Sequence, residues 1–387
     1  MLNSKMKIEL VSDLINVDKN QWNKLNATSH PFTSYEFLTS LELSLSVCKK
    51  TGWTPKHIII KDNKNTLIGA LPNYLKMHSY GEYIFDHSWA NAFQNAGGQY
   101  YPKLLSAVPF TPATGPRFLI KDDNVDKDKI FELLVSTIEN LVKDNNLSSA
   151  HINFLSKDVS TKLNHKNWIE RKGLQFHWHN KEYKTFNDFL EKLKSTKRKA
   201  IKKERQKIFN IDIKIERITG NDLTDQMWDS FYEFYLNTID KKWGGAYLTK
   251  NFFYLINQNM KDKVLLVIAK QHDKIVAAAL NFIGNDTLYG RNWGSIVDIP
   301  FLHFELCYYQ AIEFAIERKI KKVEAGAQGD HKIQRGYIAT STYSCHYINN
   351  PSFTDAVKRF VKMEAKEINK QIEIINQLGS PYSNQNN

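Results

Sequence analysis

The order of strand and helix patterns repeats once along this chain of 387 residues, and the repetition limits the folds that it can adopt. In the first half, runs of aliphatic residues at 57–61 and 66–72 flank a short polar turn, a pattern typical of two paired strands. In the second half, runs at 264–270 and 275–283 flank a turn in the same way, and a third strand pattern follows at 287–293. The sequence therefore predicts antiparallel strands in each half.

A helix and a further strand follow the antiparallel strands in both halves. Apolar residues at helical spacing predict a helix at 128–144, before a strand at 150–155. The second half has a helix pattern at 302–319 before a strand pattern at 320–325. The two halves are only weakly similar in sequence, so the repeat is inferred from the pattern alone. This order indicates a mixed α/β (α+β) fold made of two similar domains.

The two domains are expected to meet near residue 180. A strand pattern at 174–179 closes the first domain, and a long helix pattern at 186–209 opens the second, with an apolar inner stripe and basic residues on its remaining surface. We therefore predict domains at 1–180 and 181–387. A last apolar stripe predicts a C-terminal helix that packs on the body of the protein.

Composition excludes several classes of protein. The apolar fraction of 42% is sufficient for buried cores, but no apolar run approaches the roughly 20 residues of a spanning helix. The first residues lack the apolar core of a signal peptide, so we expect a cytoplasmic protein without a membrane span. Cys48, Cys307 and Cys345 lie far apart, which favours neither a disulfide framework nor a zinc site. We predict no metal.

The net charge of +12 is concentrated in one segment. Nine lysines and arginines lie between residues 192 and 207 against one glutamate, which gives this segment eight of the excess positive charges. Such a patch favours partners that carry phosphates: a nucleic acid, a coenzyme or a nucleotide-linked substrate. The alternative is a solvated helix face in a lysine-rich chain.

The segment 323–337 is the strongest candidate for a functional loop, because it combines three glycines with a wide range of polar side chains. Glycines let a backbone approach a ligand closely, and loops held by rigid elements often carry functional residues. His331 can move a proton, whereas Lys332 and Arg335 can hold an anion. The alternative is a solvated turn. Two further candidates for substrate binding in this segment are Gln328 and Tyr337.

More candidates lie upstream in the second half. An amine that attacks an acyl group needs a base for its proton and donors for the developing oxyanion. Candidates for the base are His331, His303 and Glu305, although a carboxylate serves only if burial raises its pKa. Arg291 and Trp293, at the end of a strand pattern, are candidates for substrate binding. Alternatively, His303 simply occupies the first helical turn, and Glu305 favours the positive end of that helix.

The first half has its own block of polar and aromatic residues. The segment 78–103 contains four tyrosines together with charged residues, and a proline-rich loop that follows would hold Arg117 in a fixed place. We predict a wall that binds the acceptor substrate. The alternative is core, in which each aromatic ring has one satisfied polar end. The candidates from this block are Tyr80, Glu82, Tyr101 and Lys103.

Covalent catalysis finds little support in the sequence. The chain has no GxSxG, P-loop or GxGxxG motif. Cys345 and His346 are neighbours on a predicted strand, so they face opposite sides and cannot form a dyad. The pattern favours direct attack of one substrate on another while both are bound.

Several motifs resemble those of the FemAB-like predicted N-acyltransferases, a family of the GNAT superfamily whose members are often described as peptidoglycan biosynthesis or recognition proteins. The resemblance spans residues 30–350, most of the chain. The motifs are HSYGEYIFD (78–86), YYPKL (100–104), PFTP and TGPR (109–117), QFHWHN (175–180), KKWG (241–244), LYGR and WG (288–294), FLHFELCYYQ (301–310), and EAGAQG with HK (324–332).

The resemblance implies tandem GNAT-like (acyl-CoA N-acyltransferase) domains, as in the Fem aminoacyltransferases. It implies an acyl-CoA or aminoacyl-tRNA co-substrate, no tightly bound cofactor, and an amine acceptor that is a small molecule or a cell-wall precursor. In the wider group a basic loop after the last central strand lies at the substrate cleft, and Lys332 and Arg335 take that place here. The usual CoA pyrophosphate loop is not found before helix 302–319, where SIVDIP (295–300) stands instead.

The sequence thus predicts a FemAB-like N-acyltransferase that moves an acyl or aminoacyl group to an amine in a ternary complex, with tRNA as a possible partner. The alternative is a non-catalytic protein that keeps the fold and binds RNA or a cell-wall precursor.

Overall fold

A computed structural model describes residues 6–122, 126–240, 245–326 and 329–383. Its chain forms two compact units: the first is Met1–Gly173 with Ser341–Asn369, and the second is Leu174–Thr340 with Lys370–Asn387. The predicted division at 180/181 differs from this in one large segment, because 341–369 returns to the first unit. None of the described helices is both long and apolar enough to cross a bilayer.

Both units contain strands and helices. The strands are β1 (Lys7–Val11), β2 (Trp53–Pro55), β3 (His57–Lys61), β4 (Leu67–Leu71), β5 (Tyr74–Lys76), β6 (Lys103–Ser106), β7 (Leu119–Ile120), β8 (Ser149–Leu155), β9 (Ile169–His179), β10 (Lys214–Thr219), β11 (Val264–Gln271), β12 (Lys274–Ile283), β13 (Thr287–Ser295), β14 (Lys322–Glu324) and β15 (Ile338–Ile348). The helices are α1 (Lys19–Leu25), α2 (Tyr35–Leu43), α3 (His87–Asn95), α4 (Lys127–Asp144), α5 (Lys157–Asn164), α6 (Phe186–Glu191), α7 (Ser195–Phe209), α8 (Asp225–Asp240), α9 (Lys250–Met260), α10 (Leu302–Phe304), α11 (Gln310–Glu317) and α12 (Pro351–Gln377).

The first unit contains two sheets. The smaller is antiparallel, in the order β1-β3-β4-β7, and the larger runs β15-β8-β6-β5-β2. Within the larger sheet β6 and β8 are parallel. The chain between them passes through α4, whose Asp126 N-cap accepts a hydrogen bond from the backbone of Lys129. Apolar residues of α4, among them Leu134 and Ile138, pack against Ile152 of β8.

The second unit repeats this plan around a sheet ordered β10-β11-β12-β13-β14-β9. Its first four strands are antiparallel, whereas β13 and β14 are parallel and are joined through α10 and α11. Leu306 and Ile312, from the segment between β13 and β14, pack against Val323 of β14. The predicted order of antiparallel strands, a helix and a further strand is therefore confirmed in both units.

Two predicted helices differ from the structure in detail. The helix expected at 186–209 is divided into α6 and α7, because Leu193 between them forms a β-bridge with Tyr382. The helix expected at 302–319 contains a π-helical turn, Glu305–Tyr309, between α10 and α11. Both irregularities lie next to the predicted functional loop in sequence or in space, and neither has a signal in the hydrophobic pattern.

Candidate functional site

The candidate site in the second unit is built on the π-helical turn. Such a turn inserts one extra residue per helical turn and is often found at functional sites. Here it turns Tyr308 toward the loop that precedes β15. In that loop residues Asp330–Arg335 form a short 3-10 helix that ends at Gly336 in the left-handed region.

His331 and Tyr308 are joined by a hydrogen bond. The Tyr308 hydroxyl lies 2.7 Å from His331 Nε2, and burial raises the pKa of Tyr308, so the phenol stays protonated. The tautomer of the imidazole decides which of the two groups donates. The imidazole of His331 itself is exposed. The ring of His303 lies 5.9 Å from it, centroid to centroid, and the ring of Phe304 lies at 5.4 Å. The structure thus brings together the two predicted histidines.

Trp293 and Arg291 reach this region from β13. The Trp293 ring packs edge-on against His303 at 5.1 Å. Arg291 is the extra residue of a β-bulge, since Leu280 pairs with Asn292 whereas Asn281 pairs with Gly290. Bulges often re-aim a side chain next to an active site. Trp293 therefore contacts His303, and Arg291 lies two residues before Trp293, at the β-bulge.

Lys332 points into the protein rather than toward solvent. Its side chain is only 1% exposed, and its ammonium donates to the Gly326 carbonyl at 3.0 Å. Burial lowers the pKa of Lys332 to about 8, against a smaller opposing effect of Cys307. The buried ammonium of Lys332 is therefore bonded within the loop, which differs from the anion-holding role predicted for it.

Arg335 is also buried, and its charge is balanced within the protein. Its guanidinium donates to both carboxylate oxygens of Glu204, at 2.8 and 2.9 Å, and to the His331 carbonyl at 2.7 Å. The guanidinium also stacks on Phe304, 3.4 Å from the ring centroid. Arg335 thus fixes the backbone of His331. For Arg335 to bind an anion, as we predicted, its ion pair with Glu204 would have to break.

Glu305 is engaged with an arginine of the basic segment. It is fully buried and accepts hydrogen bonds from Arg205 at 3.0–3.2 Å and from Gln310 at 2.8 Å. Burial raises the pKa of Glu305, whereas Arg205 and Gln310 lower it. A raised pKa is what the predicted role of Glu305 as a general base requires. The carboxylate is nevertheless bound by Arg205, a partner that the sequence did not indicate.

Tyr337 packs against the ring of Tyr308. It is fully buried, with its ring 5.6 Å from that of Tyr308. Its hydroxyl has no hydrogen-bond partner within the part of the chain that the structure describes. A buried tyrosine without such a partner is unusual. Gln328, the remaining candidate of this loop, lies outside the described residues.

The basic segment divides between surface and interior. Glu204 and Arg205 point inward, to Arg335 and to Glu305. Four lysines of α7 are exposed and form what we call the basic face: Lys199, Lys202, Lys203 and Lys207. Part of the charge of this segment is thus balanced inside the protein and part is presented on the exposed basic face, and the choice between a phosphate-bearing partner and a solvated face stays a prediction.

In the first unit, Lys103 and Glu82 lie together in a fully buried cluster. The Lys103 ammonium is 3.0 Å from Glu82 and 2.9 Å from the Ser79 hydroxyl, which in turn bonds the Tyr101 hydroxyl at 2.7 Å. The backbone carbonyl of Tyr80 lies 3.3 Å from Lys76, although the Tyr80 ring is exposed. The four candidates of this block are therefore neighbours.

Arg117 does not join this cluster. It is buried within its own loop, where its guanidinium donates to the carbonyls of Ala113 at 2.8 Å and Pro116 at 3.2 Å. The proline-rich segment holds it in place, as predicted, but as part of the loop's own framework.

Several members of the buried cluster were not among the predicted candidates. Asp86 binds Lys103 together with Glu82, and the Tyr100 hydroxyl donates to Asp86 at 2.7 Å. His151 of β8 and His346 of β15 meet through their Nδ1 atoms at 2.6 Å. An alternating strand with histidine at one position gives no sign of what faces it, so only the sheet register reveals this group.

The buried cysteine and histidine of β15 face opposite sides, as predicted. Cys345 contacts Ser160 whereas His346 contacts His151. Among the described residues, no three His, Cys, Asp or Glu side chains are grouped as metal ligands would be.

Comparison with known proteins agrees with this architecture. The sequence profile of a family described as FemAB-like, peptidoglycan biosynthesis/recognition, matches residues 13–384. No curated protein sequence matches the chain.

Solved structures share its fold at low sequence identity. FemX is 11% identical with a TM-score of 0.55, covering 90% of this chain and 100% of its own. L-PGS from Bacillus licheniformis is 9% identical with a TM-score of 0.50, covering 88% and 96%. A conserved protein of unknown function from Bacteroides thetaiotaomicron is 11% identical with a TM-score of 0.51, covering 88% and 99%. The predicted tandem GNAT-like fold class is confirmed.

Proposed function

Because the chain belongs to the FemAB-like family, we propose that it transfers an acyl or aminoacyl group to an amine by direct attack while both substrates are bound. Family and fold support an enzyme of the acyl- or aminoacyltransferase kind. The single observation that carries the finer proposal is the exposed imidazole of His331, oriented by Tyr308 and flanked by His303.

In the proposed reaction the amine nitrogen attacks the acyl carbonyl carbon, and the carbon–nitrogen bond forms as the carbon–leaving-group bond breaks. The amine must lose a proton, which His331 takes at Nδ1 in the tautomer whose Nε2–H donates to the Tyr308 oxygen. Tyr308 and the backbone contact from Arg335 hold the imidazole in one orientation. The proton then leaves with the departing thiol or hydroxyl. His303 and Glu305 are the other candidates for the base, and the Arg205 partner of Glu305 makes it the weakest of the three.

The proposed donor is an acyl-CoA or an aminoacyl-tRNA, used as a co-substrate rather than as a tightly bound cofactor. The four lysines of the basic face support a donor with phosphates, because exposed ammonium groups attract a polyanion. The proposed acceptor is the amine of a cell-wall precursor or of a smaller molecule, in keeping with the family's description.

The experiment that tests the proposal is native mass spectrometry of freshly purified protein, followed by transfer assays with any co-purifying CoA, tRNA or nucleotide-sugar species. His331→Asn should lower kcat by about 100-fold or more, the range for loss of a general base. His165→Asn is the matched control, since His165 ends α5 in the first unit. Full activity of His331→Asn would remove His331 from the mechanism.

A second candidate function is a non-catalytic protein that binds RNA or a cell-wall precursor. It is favoured by one observation: Lys332 and Arg335, which the family resemblance places at the substrate cleft, are both buried. A binding protein would keep its affinity for tRNA or precursor in His331→Asn and would show no transfer with any donor class.

A further inference from the structure

A single acid interrupts the basic segment of α7, and it points into the protein. Glu204 is the one acid within residues 192–207, against nine lysines and arginines. Its side chain is 16% exposed, whereas the four lysines of the basic face are exposed. Its carboxylate bonds Tyr309 and Arg335, which lie 105 and 131 positions further along the chain. Glu204 therefore connects α7 with two segments that are distant in sequence.

The first connection leads to the loop that carries His331. Both carboxylate oxygens of Glu204 accept hydrogen bonds from Arg335 Nη2, at 2.8 and 2.9 Å. The other terminal nitrogen, Arg335 Nη1, donates to the His331 carbonyl at 2.7 Å. The Arg335 side chain is 7% exposed. A charge-assisted pair that is withdrawn from solvent is screened little by salt, so it fixes the position of both partners.

The second connection leads to the π-helical turn. The Tyr309 hydroxyl, at the last position of this turn, donates to the Glu204 carboxylate. The next residue of α7, Arg205, binds Glu305 at the first position of the turn, with a distance of 3.0 Å. Two consecutive residues of α7 therefore hold both ends of the π-helical turn.

A π-helical turn needs support from outside its own helix. Hydrogen bonding between residues five positions apart is rare. The extra residue rotates the side chains beyond it by about 100°, the angle between consecutive residues of an α-helix. Here the turn carries Tyr308, whose hydroxyl lies 2.7 Å from His331 Nε2. Relaxation to regular α-helical bonding would change the direction of Tyr308 and separate these two groups.

We propose that Glu204 is a positioning residue for His331. It acts through two other side chains: Arg335, which holds the backbone of His331, and Tyr309, which fixes the turn that brings Tyr308 to the imidazole. The inference rests on the proposed function only in naming His331 as the base. The placement of the imidazole is a property of the second unit that can be measured without turnover.

The alternative role for Glu204 is to neutralise Arg335 without placing the imidazole. The Arg335 guanidinium also stacks on Phe304 at 3.4 Å, and the Phe304 ring lies 5.4 Å from that of His331. If this stacking alone held the loop, removal of the Glu204 charge would leave the His331 ring where it is. The two roles therefore predict different positions of the ring in a Glu204 variant.

The test detects the contact between the Tyr308 and His331 rings by nuclear Overhauser effects in the full-length protein, labelled in tyrosine and histidine. The ring centroids lie 5.5 Å apart, close enough for cross-peaks between ring protons. Tyr308→Phe and His331→Asn assign these cross-peaks. We expect the unsubstituted protein to show them. Glu204→Gln, which keeps the size of the side chain but removes its charge, should lose them.

A second variant and a control make this test specific. Arg335→Lys keeps the positive charge but lacks the planar fork that bonds Glu204 and the His331 carbonyl together, so the same loss is expected. Glu313→Gln is the matched control, because Glu313 belongs to the same group of ion pairs but binds Arg205, at 2.8 Å. It should keep the cross-peaks. Urea unfolding of each variant shows whether it is folded.

In the transfer assay, Glu204→Gln should lower kcat by about 10- to 100-fold, since a misplacement of 1 Å costs up to about 100-fold. It should leave KM unchanged, because the base acts in the transition state rather than in substrate binding. Glu313→Gln should keep both constants.

Cross-peaks that persist in Glu204→Gln and Arg335→Lys, or that vanish equally in Glu313→Gln, would overturn the proposal. The spectra need no turnover, so this failure is distinct from that of the proposed function. Full kcat in a Glu204→Gln protein that has lost the cross-peaks would remove His331 as the base and leave its placement by Glu204 intact.

Discussion

At the scale of single residues, burial decides which groups are available for chemistry. His331 and Lys332 are adjacent in sequence, yet His331 is exposed whereas Lys332 is buried, with only 1% of its surface exposed. A 3-10 helix turns consecutive side chains by about 120°, so one points outward and the next inward. The proton-transfer role therefore falls to His331, whereas Lys332 stabilises the loop through the Gly326 carbonyl.

The buried amine of Lys76 should make stability depend on pH in the alkaline range. Burial lowers its folded-state pKa to about 7, whereas the unfolded chain holds the proton to about 10.4. Between these values the unfolded state binds more protons, so this residue's contribution to stability rises with pH. Lys76→Met should flatten that rise in urea unfolding measured from pH 7 to 10.

The control for this prediction is Lys64→Met, at an exposed position in the turn between β3 and β4. Its unfolding curves should follow those of the unsubstituted protein at every pH. A Lys76→Met protein with the original pH dependence would mean that the amine keeps its proton when buried.

At the scale of elements, the functional loop is fixed by contacts from chain segments distant in sequence. The Tyr382 hydroxyl donates to the Gly336 carbonyl at 2.6 Å, at the end of the 3-10 helix that carries His331. Backbone bonds hold Tyr382 in turn, since Lys194 donates to Pro381 at 2.8 Å and Ser383 donates to Lys192 at 3.0 Å. The break between α6 and α7 thus serves to anchor the C-terminal segment beneath the loop.

Gly336 should tolerate no side chain. Its φ is +91°, and a Cβ would lie 2.6 Å from the Phe189 ring and 3.3 Å from the Tyr382 hydroxyl. Gly336→Ala should lower the free energy of unfolding by about 2–4 kcal/mol, combining backbone strain with overpacking. The measurement is urea unfolding.

Gly97→Ala is the matched control, because Gly97 has a similar φ of +83° but no atom within 4 Å of the place that a Cβ would occupy. It should cost only the backbone strain, about 1 kcal/mol. Equal losses in the two variants would show that the contacts with Phe189 and Tyr382 adapt freely.

At the scale of the whole molecule, much of the net charge of +12 lies on one surface, the basic face of α7. Arg205 is withdrawn into ion pairs with Glu305 and Glu313, and the exposed lysines of α7 remain. If the basic face binds tRNA, replacing its four lysines by glutamate should abolish binding, and affinity for the unsubstituted protein should fall steeply with added salt.

An equal change of charge on α12 provides the control for this prediction. Lys358, Lys362, Lys366 and Lys370 are also exposed on one helix. Their replacement by glutamate should weaken tRNA binding much less, as filter binding at several salt concentrations would measure. Equal effects of the two quadruple variants would show that only net charge matters.

The candidate site was predictable where chemistry follows from local sequence. Glycine and histidine in 323–337 marked the loop, and His303 was a candidate from its place at the start of the predicted helix. Glu204 and Tyr308 were not predicted as members of the site. An acid in a basic run is usually on the surface, and a tyrosine in an apolar helix is usually core. Their partners become visible only when strands and helices far apart in sequence are packed together.

The sequence by itself determined the order of the elements, the repeat of one plan and the family, because hydrophobic period and motif spacing are local properties of the chain. Tertiary structure alone decided that β15 returns residues 341–369 to the first unit and that Lys332 and Arg335 are buried. It also decided that His151, His346, Lys103 and Asp86 meet in one buried cluster. Burial and pairing depend on residues that meet through sheet register and helix packing. A side chain's own type and its immediate neighbours do not specify those contacts.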